Sequence, residues 1–284
     1  MAVTDPLIRN ISDTALWVAV YRARETERPD ALFRDPYARR LAGARGEEIA
    51  SSIPFSDRAT WAWVARTVLF DRFIADEVRA GADLVVNLAA GLDARPYRMD
   101  LPPSLKWVEV DLPGVLSYKE EILADAKPVC ALERVRLDLS DGPARRALFE
   151  RLGRGGRRAL IVSEGLLIYL EAEDVAALAR DLAAPASFRS WVLDLASPGL
   201  LRMIRKDAGE RFAAAGAALR FGPAEGPGFF LPHGWRPVDV RTPLKEAARH
   251  GRLPLFLRLL AMLPESSGAQ GSRPWSGVCL FERG

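Results

Sequence analysis

The sequence predicts an α/β protein with a seven-stranded, mostly parallel, doubly wound sheet and an amino-terminal helical cap. Two observations lead to this prediction. From Leu84 onward, short apolar runs alternate with amphipathic segments, which is typical of βαβ units. Before Leu84 the apolar periodicity is helical, so no strand of the sheet is expected there. We therefore predict a cap or lid in residues 1–80 and a ligand-binding domain in residues 81–284.

Three helices are predicted in the cap. Ser12, Asp13 and Thr14 can cap the first, and a second begins near Asp35. Residues 57–79 form the third, because apolar residues recur there at spacings of three and four. This long amphipathic helix leads into the first strand.

Five strands and four helices alternate after the cap. The strands are predicted at residues 84–89, 106–110, 132–137, 159–163 and 190–195. The helices are predicted at residues 112–126, 143–152, 172–182 and 199–214. The alternation then stops, and strands at 234–241 and 275–282 flank helices at 243–250 and 254–263. Two strands added to a five-stranded core predict the seven-stranded sheet.

Composition and charge exclude several classes of protein. The formal net charge is only +3, and the arginines are spread along the chain, so no nucleic-acid partner is predicted. The two cysteines, Cys130 and Cys279, are too few for a disulfide framework or a thiolate cluster, and no metal site is indicated. No apolar run reaches the roughly 20 residues of a membrane span. With no signal-like start, we expect a cytoplasmic protein without membrane contact.

A ligand site is predicted where the first two strands end. The apolar run at 84–89 stops at a small-residue turn around Gly91, and the run at 107–110 ends on Asp111. A glycine turn lets a ligand approach the backbone, and an acid about 20 residues later lies at the tip of the neighbouring strand. Such an acid can accept two hydrogen bonds from a ribose diol.

Several segments resemble the leucine carboxyl methyltransferase-like family of S-adenosylmethionine-dependent methyltransferases. They are NLAAGLDARPYR at 87–98, WVEVDLP at 107–113, RTVLFD at 66–71, DL at 138–139 and SEGLLIYL at 163–170. The bacterial branch of this family consists mostly of O-methyltransferases of small or polyketide-like molecules. The resemblance implies a class I, Rossmann-like methyltransferase fold and S-adenosylmethionine as cofactor.

The resemblance also implies the cofactor-binding residues. They are Arg66, Ala89, Gly91, Asp111, Leu112, Asp138, Leu139 and Glu164. Arg66 would pair with the carboxylate of the methionine moiety, and Gly91 would line the loop beneath that moiety. Asp111 would hold the ribose hydroxyls, and Asp138 with Leu139 would bracket the adenine. Glu164 would lie near the amino group and the methyl.

Physical chemistry fits these assignments but leaves alternatives open. An arginine fork can bond two carboxylate oxygens at once. Without the family pattern, however, the sequence favours Arg66 as a solvated helix arginine. Asp138 precedes a helix and is also a candidate cap. Glu164 follows a buried run, so a cation or hydrogen bonds must compensate its charge, and a cationic ligand would do so.

Two residues of the glycine turn depart from the broader glycine-rich pattern. Ala89 stands where the family usually has glycine, and its methyl group could crowd the approach of the cofactor. Because Ala89 ends the strand predicted at 84–89, we expect ordinary strand geometry there, which alanine adopts without cost. Asp93 matches the family, and we expect Asp93 and Arg95 to fix the turn to one another. The turn also lacks the three-glycine spacing of dinucleotide sites, which argues against a nucleotide-dependent oxidoreductase.

No catalytic residue is assigned from the sequence. Tyr169, His233 and Trp235 are candidates for lining the acceptor pocket, and a core position is the alternative for Tyr169 and Trp235. His233, as a base, and Tyr169 are the two catalytic candidates. A substrate lid is expected near residues 199–234, where Phe229 and Phe230 stand among glycines. The absence of a convincing base favours a carboxylate or an acidic phenol as the methyl acceptor over an ordinary hydroxyl.

The predicted function is O-methylation of a carboxylate or hydroxyl of a small, polyketide-like molecule. One alternative is methylation of a protein or peptide carboxyl terminus. Two alternatives come from other functional classes: a nucleotide-dependent oxidoreductase and a non-catalytic cofactor-binding protein. The oligomeric state is not predicted.

Overall fold

The computed structural model describes residues 13–52, 56–214, 217–264, 271 and 273–284. Its ten helices in this part of the chain are α1 (Asp13–Thr26), α2 (Ala38–Ser52), α3 (Ser56–Arg79), α4 (Arg95–Arg98), α5 (Pro113–Ile122), α6 (Gly142–Gly155), α7 (Ala172–Ala183), α8 (Pro198–Ala214), α9 (Pro243–Arg249) and α10 (Leu255–Ala261). Short 3-10 helices lie at Leu167–Tyr169 and Gly226–His233. The Ser12 cap predicted for α1 lies outside the described residues.

One sheet contains all seven described strands. They are β1 (Leu84–Leu88), β2 (Lys106–Asp111), β3 (Ala131–Arg136), β4 (Ala159–Ser163), β5 (Phe188–Ala196), β6 (Trp235–Arg241) and β7 (Ser276–Arg283). Their order is β3-β2-β1-β4-β5-β7-β6, and β7 is antiparallel to both of its neighbours. The predicted seven-stranded, mostly parallel α/β sheet is therefore confirmed.

The central strands are buried on both faces, which explains their continuous apolar sequence. Every residue of β1 and β4 is buried. On one face, Phe149 of α6 and Leu178 of α7 pack against Trp191 and the strands beneath it. On the other face, Phe70 of α3 belongs to the cluster around Trp107. Helices thus cover both sides of the sheet.

The amino-terminal helices pack onto the carboxyl end of the sheet through an aromatic cluster. Trp17 and Tyr21 of α1 contact the Trp63 ring of α3, with ring centroids 5.2 Å and 6.4 Å from it. The same apolar cluster includes Leu92 and Tyr97 from the segment after β1. The cap is therefore anchored directly on the loop that was predicted to bind a ligand.

The stretch Gly226–His233 is part of the core. Phe230 is fully buried, with its ring centroid 5.3 Å from that of Trp191 and 5.0 Å from that of Phe281. Phe229 and Phe230 were predicted to belong to a lid over the acceptor. For Phe230 this prediction is wrong, because its side chain is buried in the core. No described helix is long and apolar enough to cross a membrane.

Candidate functional site

A cavity of about 560 Å³ lies between the cap helices and the carboxyl ends of β1, β2, β4 and β5. Its volume is in the range of small-molecule sites. All eight residues of the implied cofactor-binding set line it: Arg66, Ala89, Gly91, Asp111, Leu112, Asp138, Leu139 and Glu164. Tyr169 lines it as well. The topology brings them together because parallel strands end at the same edge of the sheet.

The loop after β1 turns in the left-handed region. Ala89 and Gly91 both have φ of +50°. The expectation of ordinary strand geometry at Ala89 is therefore wrong, because β1 ends at Leu88 and the chain turns at the next residue. A side chain in this region costs roughly 1–2 kcal/mol relative to ordinary backbone, a penalty that glycine would avoid.

Asp111 holds this loop against the end of β2. Its Oδ2 accepts a hydrogen bond from the Gly91 N–H at 2.7 Å, and its Oδ1 accepts from the Leu112 N–H at 2.7 Å. The side chain is buried. Burial raises the pKa of Asp111 above 3.8, against the lowering effect of the two N–H donors. A carboxylate can accept further bonds, so Asp111 can still receive ligand hydroxyls.

The turn that follows is fixed by Asp93 and Arg95, as predicted. Asp93 Oδ1 accepts from the Arg95 backbone N–H at 2.8 Å, and Arg95 Nη1 lies 2.9 Å from Asp93 Oδ2. Asn87 Nδ2 also donates to Asp93 Oδ2 at 2.9 Å. These contacts connect the end of β1 to α4, a short helix that the sequence did not predict.

Arg66 joins two acids at the ends of neighbouring strands. Its Nε lies 3.0 Å from Glu164 Oε1, and its Nη1 donates to Asp194 Oδ2 at 3.1 Å. The guanidinium carbon lies 5.0 Å from the centroid of the Trp63 ring. Only 12% of the Arg66 side chain is exposed, so the alternative of a solvated helix arginine is wrong.

Glu164 is compensated by arginines of the chain itself. In addition to the Arg66 contact, Glu164 Oε2 lies 2.8 Å from Arg95 Nη1. The prediction that this acid needs a positive partner is confirmed, but two guanidiniums supply the charge that sequence reasoning assigned to a ligand. A ligand would therefore meet a Glu164 carboxylate that is already paired with two guanidiniums.

Asp194 is the site residue that sequence reasoning missed. It lies in β5 near the carboxyl end, lines the cavity, and accepts from the Gly165 N–H at 2.7 Å as well as from Arg66. Burial raises the pKa of Asp194, against the lowering effect of Arg66. An acid inside the otherwise apolar run at 191–196, near the edge that holds the other acids, was the available signal.

These side chains belong to a larger group, which we call the ion cluster. Its carboxylates are Asp35, Asp71, Asp93, Glu164 and Asp194, and its guanidiniums are those of Arg22, Arg66, Arg95 and Arg98. Asp71 of α3 accepts from both terminal nitrogens of Arg98, at 2.8 and 2.7 Å. The ion cluster thus connects the cap helices to the carboxyl edge of the sheet.

Asp138 lies at the exposed rim of the cavity. Its Oδ1 accepts from the Ser140 N–H at 2.9 Å, which lowers the pKa of its carboxyl. The alternative of Asp138 as a helix cap is wrong, because Asp141 caps α6 by accepting from the Ala144 N–H at 3.0 Å. Leu139 packs against the apolar core beside it.

The rest of the cavity is mostly apolar. The side chains lining this part come from the cap, from α8 and from the segments that follow β4 and α8: Trp17, Val18, Trp61, Trp63, Ile168, Leu200, Met203, Ile204, Leu219 and Phe221. We call this part the apolar chamber. It was not predicted residue by residue, although α8 and residues 219–221 fall within the stretch expected to hold a lid.

Tyr169 lies between the two parts of the cavity. Its side chain shares a hydrogen bond with Thr14, and burial raises the pKa of its phenol despite the opposing effects of Thr14 and Arg66. The hydroxyl therefore stays protonated at neutral pH.

His233 and Trp235 lie outside the cavity lining. His233 Nδ1 is 3.4 Å from Arg180 Nη1, and its ring is tilted by 57° against that of Phe229, with centroids 5.3 Å apart. Trp235 is buried, and its Nε1 donates to the Ala179 carbonyl at 2.9 Å. Neither histidine of the chain, His233 or His250, lines the cavity. The geometry gives no support to His233 as a base.

The chain is similar to known proteins over most of its length. The family model described as leucine carboxyl methyltransferase matches residues 15–183. A Frankia alni protein, provisionally named an S-adenosyl-L-methionine-dependent methyltransferase, is 34% identical over 249 residues, covering 84% of this chain and 88% of the relative. A Streptomyces coelicolor protein with the same provisional name is 35% identical over 263 residues, covering 84% of this chain and 87% of its own length.

Among solved structures, the fold is similar to that of a DUF574 family protein from Streptomyces avermitilis. The TM-score is 0.61 at 14% sequence identity, with 94% of this chain and 97% of that chain covered. At this identity the likeness concerns the fold alone.

Proposed function

Since the chain belongs to the leucine carboxyl methyltransferase family, we propose that it transfers a methyl group to an oxygen, preferably a carboxylate, of a small apolar acceptor. The chain is an S-adenosylmethionine-dependent methyltransferase with the class I, Rossmann-like fold. The observation that carries the proposal is an apolar chamber that opens directly onto the acids at the strand ends, with no histidine in its lining.

The residues at the strand ends fit the cofactor chemically. The buried Asp111 carboxylate suits a ribose diol, and it is held in place by the Gly91 and Leu112 N–H groups. A guanidinium carries five donors, so Arg66 can keep its two acids and still donate to the carboxylate of the methionine moiety. Glu164 and Asp194 can accept from the ammonium. Gly91 has a positive φ, which glycine adopts without strain, and this turn would line the loop beneath that moiety.

Asp138 and Leu139 would hold the adenine at the cavity rim. Leu139 offers an apolar face, and Asp138 has acceptor capacity beyond its Ser140 bond. Ala89 and Leu112 would line the site beside Gly91 and Asp111 without contributing charge. These assignments follow the family pattern and the position of each side chain in the cavity.

Bound S-adenosylmethionine supplies an electrophilic methyl group on a sulfonium. A carboxylate acceptor is already ionised at neutral pH, so the chain need not provide a base. The residues of the apolar chamber, Trp17 and Trp63 among them, would exclude water and orient the acceptor oxygen toward the methyl. Positioning of this kind is sufficient to supply a large part of a rate enhancement.

A hydroxyl acceptor would require a base, and the described lining offers no suitable one. Tyr169 stays protonated because burial raises the pKa of its phenol. Glu164 and Asp194 are bound to arginines and lie where the cofactor is expected. These observations favour a carboxylate over an alcohol.

The cap would act as the lid of the site. Residues of α1 and α3 form one wall of the apolar chamber, and α8 forms another. A protein or peptide carboxyl terminus is the second candidate acceptor, because it offers the same carboxylate chemistry and because the family is named for such an activity. The apolar lining favours a small molecule.

The test uses purified protein, methyl-labelled S-adenosylmethionine and pairs of acceptors that share one apolar skeleton. One member of each pair ends in a carboxylate and the other in a primary alcohol. We expect labelled methyl ester from the carboxylates, at a rate independent of pH between about 6 and 8, because no base has to lose a proton.

Methylation of the alcohols alone, with a rate that falls on acidification, would contradict the proposal. Transfer only to a peptide terminus would favour the second candidate. Cofactor binding without transfer to any acceptor class would favour a non-catalytic binding protein. The Arg66→Gln variant serves as the inactive control.

A further inference from the structure

Asp194 makes two contacts that together determine the position of the groups around it. Its Oδ1 accepts from the Gly165 N–H at 2.7 Å, and its Oδ2 accepts from Arg66 Nη1 at 3.1 Å. Gly165 has φ of +68°, and a Cβ built on it would lie 3.6 Å from Arg66 Nη1. Asp194 therefore links the loop after β4 to a guanidinium that reaches over from α3.

Arg66 is held from two sides. Glu164 contacts its Nε from the end of β4, and Asp194 contacts its Nη1 from β5. The Trp63 ring lies 5.0 Å from its guanidinium carbon. With only 12% of the side chain exposed, rotation of the guanidinium would break at least one charged hydrogen bond. The direction in which Arg66 presents its remaining donors is thus set by the two acids.

The lining of the cavity also contains more carboxylates than guanidiniums among the described residues. Its six carboxylates are Asp93, Asp111, Asp138, Glu164, Asp174 and Asp194, and its four guanidiniums are those of Arg22, Arg66, Arg95 and Arg145. S-adenosylmethionine carries one net positive charge, because its ammonium and sulfonium outnumber its carboxylate. The product, S-adenosylhomocysteine, carries an uncharged sulfur and no net charge. An excess negative charge in a poorly solvated cavity distinguishes these two molecules.

We propose that Asp194 is a positioning residue for Arg66 and that its negative charge favours the sulfonium cofactor over the uncharged-sulfur product. This rests on the proposed placement of the methionine moiety at Arg66. Asp194 holds the guanidinium that receives the carboxylate of that moiety. Its negative charge attracts the positively charged methyl donor but not the product, which has no net charge. This difference assists the exchange of product for fresh cofactor.

The experiment is a calorimetric titration with three probes. S-adenosylmethionine and S-adenosylhomocysteine share every group except the methyl and its charge. Methylthioadenosine keeps the adenine and ribose but lacks the amino acid. The variants are Asp194→Asn, which keeps the size of the side chain and one acceptor, and Asp111→Asn at the ribose position. Asp239→Asn, whose carboxylate pairs with Arg241 on β6, is the control.

For Asp194→Asn we expect affinity for S-adenosylmethionine to fall about tenfold or more, the range for loss of one charged hydrogen bond. Affinity for S-adenosylhomocysteine should fall by a smaller factor, and that for methylthioadenosine should stay within about twofold. Asp111→Asn should weaken all three, because all three contain the diol. Asp239→Asn should weaken none.

An equal loss for all three probes in Asp194→Asn would overturn the inference, because it would show general distortion of the site. Equal losses for the charged and uncharged-sulfur probes would overturn it too, as would no loss at all. Asp194→Glu, which retains the charge, should keep the wild-type ratio of the two affinities, and a changed ratio also counts against the inference. Thermal unfolding of the ligand-free variants checks that they are folded.

None of these titrations contains a methyl acceptor. Their outcome is therefore independent of whether the acceptor is a carboxylate, an alcohol or a peptide. Conversely, failure to methylate carboxylates would leave the three affinities unaffected.

Discussion

The Oδ2 atom of Asp111 lies 2.7 Å from the backbone nitrogen of Gly91 and accepts its hydrogen bond. The contact joins residues 20 positions apart and ties the end of β2 to the loop after β1. Both residues line the cavity, so the same bond that closes the loop also shapes the place proposed for the cofactor. Under that proposal, the loop structure and cofactor binding both depend on one carboxylate.

Replacing Asp111 with alanine should lower affinity for S-adenosylmethionine about tenfold to a hundredfold, because the ribose hydroxyls lose a charged acceptor. Calorimetric titration measures the change. Asp141→Ala is the matched control, since it removes a carboxylate that caps α6 outside the cavity. It should cost about 1 kcal/mol of stability and leave the affinity unchanged. Equal affinity for Asp111→Ala and wild type would contradict the ribose assignment.

Ala89→Gly should stabilise the ligand-free protein by up to about 1 kcal/mol, because Ala89 has φ of +50° and glycine adopts this conformation without strain. The gain is reduced by the greater freedom of glycine in the unfolded chain. Cofactor affinity should be retained or improved, because a methyl group is removed from the cavity lining. Urea denaturation and titration provide the two measurements.

The neighbouring Ala90→Gly is the control for that substitution. Ala90 is buried and is not among the described residues with positive φ, so glycine should destabilise the protein there. Stabilisation by both substitutions, or by neither, would show that the left-handed conformation at Ala89 does not determine the change in stability.

Asp71→Asn should lower the free energy of unfolding by about 3 kcal/mol at neutral pH, since it leaves Arg95 and Arg98 buried without their shared acid. Burial raises the pKa of Asp71, but the attraction of Arg98 and Arg95 outweighs it and lowers that pKa below 3.8. The ionised carboxylate therefore stabilises the fold above about pH 3.8. This stabilisation is lost as the pH falls through the lower pKa of the folded state.

The difference between wild type and Asp71→Asn should accordingly shrink when urea denaturation is repeated in acid, below the unfolded pKa. Asp125→Asn tests whether loss of any paired carboxylate has the same effect. Because Asp125 forms an exposed pair with Arg40, this substitution should change the free energy of unfolding little at either pH. A difference for Asp71→Asn that is the same in acid and at neutral pH would rule out the charge as its cause.

His233→Ala should keep the methyl transfer rate within about twofold, since loss of a general base would cost at least a hundredfold. His233 contacts Arg180 and Phe229 and is not part of the cavity lining. Steady-state kinetics at saturating cofactor gives the comparison. An inactive variant that still binds cofactor would restore His233 as a catalytic base and weaken the case for a carboxylate acceptor.

Local sequence was sufficient for most of the sheet. β4 was predicted at 159–163 and spans Ala159–Ser163, because a strand buried on both faces has no polar residue before its end. Likewise, Asp111 and Glu164 were located at strand ends, and they line one cavity because the order of parallel strands brings those ends together. Periodicity and the family pattern were enough for these features.

The charge partners could not be read from local sequence. Arg66 and Asp194 are 128 residues apart, and nothing in either segment indicates that they meet. The same applies to the left-handed backbone of Ala89 and to the position of His233 outside the cavity. Each of these depends on how distant segments come together.

The sequence by itself thus determined the sheet, the helices that cover it and the acids at its carboxyl edge, because burial and backbone preference act over a few neighbouring residues. Only the tertiary structure decided which arginine neutralises which acid, where the apolar chamber lies and which candidate base is excluded from it. Those outcomes depend on distances between side chains far apart in the chain, and such distances exist only once the whole chain has folded.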